Sequence, residues 1–136
     1  MISTAAVVLA VFALAVEDVE GRVQIATCGT FSYFKENDGA LSVTRAGGAT
    51  SATCDTGLSL GYQQLTSLPP GVFNGLTLTA SGSLYLGNNQ LTSLQAGVFD
   101  GLTVTGSLDL QNNQLTSLPP GVFNGLTVGL TMSGTL

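Results

Sequence analysis

A short solenoid, mostly β in content, is the architecture this sequence predicts, each coil adding one short strand to a parallel sheet. Two observations lead there. The block QLTSLPPGVFNGLT occurs at residues 64–77 and again unchanged at 114–127, and a third version, QLTSLQAGVFDGLT, fills 90–103. Leucine, asparagine and phenylalanine also keep fixed offsets, with Leu84 to Leu108 and Phe99 to Phe123 each 24 residues apart. The first copy stands 26 residues from the second, because LTLTASGS is two residues longer than LTVTGS. A period of this size with leucines in register describes a unit that buries its apolar face only by stacking on its neighbours.

From the amino terminus, MISTAAVVLAVFALAV is uncharged, mostly apolar and ends in small residues before Glu17 and Asp18. That is the shape of a signal peptide, and Ala13 and Ala15 place cleavage after Ala15. Residues 1–15 are expected to be removed and the mature protein to be secreted. The alternative is a membrane-anchored chain, for which the run is shorter than the roughly 20 residues of a spanning helix. Residues 16–57 should form an N-terminal β-rich cap over the first repeat. VQIATC, FSYF and ALSVT read as strands, and Glu36-Asn37-Asp38-Gly39 as a turn. Cys28 and Cys54 lie within it, and an even pair in an exported chain points to one disulfide.

Residues 58–136 then hold three full repeats and a partial fourth. In Leu84-Tyr85-Leu86 and Leu108-Asp109-Leu110, leucines alternate with outward residues, as a strand with one buried face requires. Three residues on, Asn89 and Asn113 place an amide where the chain leaves the strand, suited to backbone groups that the turn would otherwise bury unpaired. Gln63 takes this place in the first copy, so its rung should be the least regular. Leu91 and Leu94 turn inward again, while Pro69-Pro70 and Pro119-Pro120 keep helix and central strand out of the return leg, leaving it extended or in 3-10 turns. Phe73, Phe99 and Phe123 should stack into a column closing the core. After Leu126 the chain runs TVGLTMSGTL, with Leu130 and Met132 as candidates for a fourth strand. No capping pattern follows, so the face around Leu115, Leu118 and Phe123 is expected either to self-associate or to be covered by further repeats of a larger protein.

Composition narrows function by exclusion. Of 136 residues 8% are charged and none is histidine, which removes the side chain that titrates nearest neutrality and the commonest metal ligand. Two cysteine sulfurs would fill only half of a zinc site. Arg22, Lys35 and Arg45 are the only basic residues and the net charge is −5, so nucleic acid has nothing to hold. No nucleophile motif, phosphate loop or dinucleotide fingerprint is present. Asp100 and Asp109 are the only acids in the repeats, and Asp100 stands where the other copies have asparagine, which marks a turn role. No catalytic residue, cofactor or metal site is expected.

The pattern LxLxxNxLxxLPxGVFxGL, spread over residues 58–132, resembles the leucine-rich-repeat family and is most similar to repeats of variable lymphocyte receptors and comparable extracellular proteins. The resemblance implies a curved, right-handed solenoid with its parallel sheet on the concave side, a class named α/β although mostly β in content. It also implies a ligand bound there, a protein, a peptide or a glycan. The sequence departs from the pattern where Ser81 and Thr105 replace a leucine three places before the strand, with Leu78 or Val104 able to fill the space. The multi-cysteine caps of those receptors are absent as well, so the likeness is to the repeats and not to an immune receptor. On this fold the concave face would carry Ser59, Gly61 and Tyr62, then Tyr85, Gly87 and Asn88, then Asp109, Gln111 and Asn112. Tyr62 and Tyr85 lead the candidates, since tyrosine offers apolar area and a hydroxyl at low entropic cost.

Overall fold

The computed structural model describes residues 16–17 and 20–129. Four strands open the chain: β1 (Val16–Glu17), β2 (Val23–Cys28), β3 (Phe31–Lys35) and β4 (Leu41–Arg45) form an antiparallel meander in the order β1-β2-β3-β4. There follow β5 (Ala52–Cys54), β6 (Leu58–Ser59), β7 (Leu76–Leu78), β8 (Leu84–Tyr85), β9 (Thr103–Val104), β10 (Leu108–Asp109) and β11 (Thr127–Val128). These sort into two parallel sheets, β6-β8-β10 and β5-β7-β9-β11, so each coil touches two ladders. The expected fourth strand at Leu130 or Met132, and the expected signal peptide, lie outside the described residues.

The β6-β8-β10 sheet is the one the leucine spacing predicts. Leu58 pairs with Leu84 and Leu84 with Leu108, and the carbonyls on either side of the partner leucine accept from the preceding coil, Ser107 O from Leu84 N at 2.8 Å and Asp109 O from Leu86 N at 2.8 Å. Its strands are two residues long, because the chain turns away as soon as the second leucine has entered the core. The return leg repeats one hydrogen-bond pattern three times. In the first coil Val72 N bonds Pro69 O, Asn74 N bonds Gly71 O and Leu76 N bonds Phe73 O, and the second and third coils copy it. Such i to i+3 bonds are 3-10-like turns, the conformation the proline pairs leave open.

The β5-β7-β9-β11 sheet was not expected from the sequence. Leu78 and Val104 sit on it, fully buried. The sheet begins upstream of the repeats, since Ala52, Thr53 and Cys54 pair in parallel with Leu76, Thr77 and Leu78. The first rung of the solenoid is thus contributed from within residues 16–57. The two-residue insertion in the first copy forms a left-handed pair, Ala80 (φ 51°) and Ser81 (φ 64°), which takes up the extra length without breaking register.

One core runs through the molecule. Phe31, Tyr33 and Leu41 of the meander, called the cap below, share one cluster with the buried leucines of the coils. The ring column extends through both parts: Phe73 stacks on Phe99 at 6.1 Å and Phe99 on Phe123 at 5.7 Å, with Tyr33 against Phe73 at 5.9 Å. The expected turn at 36–39 is present, and Gly39, at φ 85°, has Thr66 packed so closely that a Cβ would lie 2.7 Å from its hydroxyl. Cys28 and Cys54 form a disulfide, with Cα atoms 5.5 Å apart. Arg45 ties the cap to the first return leg, its guanidinium 4.9 Å over the Phe31 ring and donating to the carbonyls of Gly71 and Asn74 at 3.3 Å each.

Candidate recognition surface

The outward side of the β6-β8-β10 sheet is built from three columns. Ser59, Tyr85 and Asp109 stand side by side because β6, β8 and β10 are in register. Gly61, Gly87 and Gln111 form the next column, and Tyr62, Asn88 and Asn112 the one after. The last two columns lie beyond the strands, in the turn that leads out of the sheet. Tyr62 (φ 59°), Asn88 (φ 57°) and Asn112 (φ 53°) are all left-handed there. Asparagine tolerates that conformation, so Asn88 and Asn112 have a backbone reason for their identity, whereas Tyr62 holds it at a cost of about 1 kcal/mol.

Beneath this turn Asn89 and Asn113 bond backbone groups of two coils. The Asn89 side chain accepts from the backbone N–H of Gln63 and of Leu65, both at 3.0 Å, and donates to Leu60 O at 2.8 Å and Leu86 O at 2.9 Å. Asn113 accepts from Leu91 N at 3.1 Å and donates to Leu86 O and Leu110 O at 3.0 Å. Each amide therefore joins its own coil to the one before. Among the described residues Gln63 makes no equivalent bridge, its Nε2 donating to Gly61 O at 3.2 Å.

Above the columns lies a groove of about 220 Å³, lined by eight residues, all but Asn112 of the nine that the resemblance put on this face. Tyr62 is 79% exposed and Tyr85 46%, the two most exposed large apolar side chains among the described residues. Asp109 has its carboxylate held by its own coil: Oδ1 accepts from Gln111 N at 2.9 Å and Oδ2 from Gln111 Nε2 at 3.1 Å. At Gly87 a Cβ would come within 3.3 Å of both Asp109 oxygens, so the carboxylate hangs over that glycine.

A second cavity, about 410 Å³, opens between the cap and the first return leg beside Arg45, Thr50 and Asn74. Its one charged group is the Arg45 guanidinium already bonded to the framework. Nearby, Tyr33 is fully buried, and burial pushes its hydroxyl well above the usual phenol range, against the opposing charge of Arg45. Sequence reading passed over Tyr33 because it lies in the cap, outside the repeated pattern that marks Phe73, Phe99 and Phe123.

Comparison with protein families adds a match to the family described as leucine rich repeat, over residues 82–133, which covers the second and third coils. The first coil, outside that match, pairs with them in the same register. Neither curated proteins nor solved structures give a match to this chain.

Proposed function

Taking the chain as a leucine-rich-repeat protein, and such repeats as protein-interaction modules in general, we propose that it is an exported recognition module. It binds a protein ligand on the outward side of the β6-β8-β10 sheet and performs no catalysis. The observation that carries this reading is the groove bounded by Tyr62 and Tyr85, where side chains differ from coil to coil over an otherwise repeated framework. Large, rigid, exposed tyrosines are among the side chains that dominate protein interfaces when they are buried by a partner. Export through residues 1–15 is the matching proposal for location, and the secreted chain should begin at Val16.

The test uses that secreted protein and a ligand identified from its native extracellular fluid. Tyr62→Ala with Tyr85→Ala should weaken binding at least tenfold while the thermal midpoint holds, whereas Asn74→Ala, on the return leg, should not change it. The reverse pattern overturns the assignment of the binding face. Assembly of the chain with itself through Leu115 and Phe123, which are only partly buried, with no other ligand found, would favour a structural role instead.

A further inference from the structure

We infer that the groove selects a cationic side chain, a lysine or arginine presented by the protein ligand, with Asp109 as its counter-ion. This rests on the sheet-face reading above and makes it chemically specific. From residue 46 to residue 136 the chain has no lysine, arginine or histidine. Asp109 is the one charged side chain lining the groove. A ligand settling there meets a negative group with no competing cation from the surrounding repeats.

The local geometry favours a charged tip over a bulky apolar one. Gly61 and Gly87 give the groove a floor without side chains, and the Asp109 carboxylate overhangs the second of them. Gln111 supplies both of its hydrogen bonds from the same coil, which fixes the carboxylate while each oxygen keeps further accepting capacity. Tyr62 and Tyr85 line the same groove, and an aromatic wall beside a carboxylate suits a cation by its ring quadrupole and an aliphatic stem by its apolar area. A neutral glycan would find hydroxyl and amide partners here, but it would leave the carboxylate's charge unanswered.

The experiment titrates the full mature protein with N-acetyl-lysine methylamide, with the arginine analogue and with the uncharged norleucine isostere, reading backbone amide shifts at Gly87, Asn88 and Gln111. The cationic probes should give saturable shifts that weaken as salt rises, and norleucine none. Asp109→Asn, nearly isosteric and still able to bond Gln111, should weaken the cationic probes about tenfold, and Gly87→Ala, which raises the groove floor, should weaken them too. Equal binding of norleucine, or no saturation by either cationic probe at tens of millimolar, overturns the inference. So does a neutral disaccharide that binds the wild type and Asp109→Asn alike. Failure here is separable from failure of the broader reading. A protein ligand lost on Tyr85→Ala but indifferent to Asp109→Asn removes the cation and keeps the face, whereas indifference to both removes the face as well.

Discussion

At the scale of single residues, burial decides what an amide is worth. Asn89 and Asn113 occupy the same place in successive coils and make similar bonds, yet Asn89 is 6% exposed while Asn113 is open enough for water to reach. Removing the Asn89 side chain leaves the N–H of Leu65 and the carbonyl of Leu60 without partners in a dry core. Each unpaired group costs about 1–3 kcal/mol, so Asn89→Ala should destabilise by about 2–6 kcal/mol. Asn113→Ala should cost about 1 kcal/mol, because solvent takes over its lost bonds. Denaturant unfolding of the two variants measures the difference, and equal losses would mean that burial is not what sets the value of the ladder.

At the scale of elements, the ring column and the two ladders make a coil, and they differ in how plainly the sequence announces them. The Phe column is legible because each ring recurs at one offset between glycine-flanked turns. The β5-β7-β9-β11 ladder is not, because strands of two or three residues are too short for alternation to show, and Leu76-Thr77-Leu78 reads equally well as loop. Leu78 and Val104 stand out in the sequence as candidates for a missing leucine position, but not as strand. The groove was legible as a set of outward positions once the strands were known. Its floor and the Asp109 to Gln111 clasp depend on side-chain geometry that no spacing encodes. Within the column, Phe99 is fully buried and stacked on both sides. Phe99→Ala should therefore cost about 3–5 kcal/mol, through lost transfer energy and the cavity between Phe73 and Phe123. Tyr85→Ala, at the exposed face of the same coil, should cost less than about 1 kcal/mol by thermal unfolding. A larger loss at Tyr85 than at Phe99 would invert the assignment of inside and outside.

At the scale of the whole molecule, cap and coils share one core, but cover thins along the chain. Leu91, Leu94, Phe99 and Leu102 of the second coil are buried, whereas their counterparts Leu115, Leu118, Phe123 and Leu126 are only partly so. Stability should therefore be anchored at the amino-terminal end, where Tyr33 caps the ring column, Arg45 clasps the first return leg and the Cys28–Cys54 bridge crosses from β2 to β5. That bridge joins an antiparallel strand of the cap to the first rung of a parallel ladder, across a sequence separation of 26. On the chain-entropy account, closing a loop of this size restricts the unfolded chain by about 3 kcal/mol. In a domain this small, that corresponds to a fall in thermal midpoint of at least about 10 °C on reduction. Because the bridge is the covalent link between β2 and β5, the reduced protein should lose hydrogen-exchange protection first at residues 23–45, with Leu84 and Leu86 amides protected longer. An unchanged midpoint with the bridge demonstrably open would show that ring packing and the Arg45 clasp hold the cap without it. Protection at residues 23–45 that outlasts reduction as long as that of Leu84 and Leu86 would show that the bridge does not set the stability of the cap.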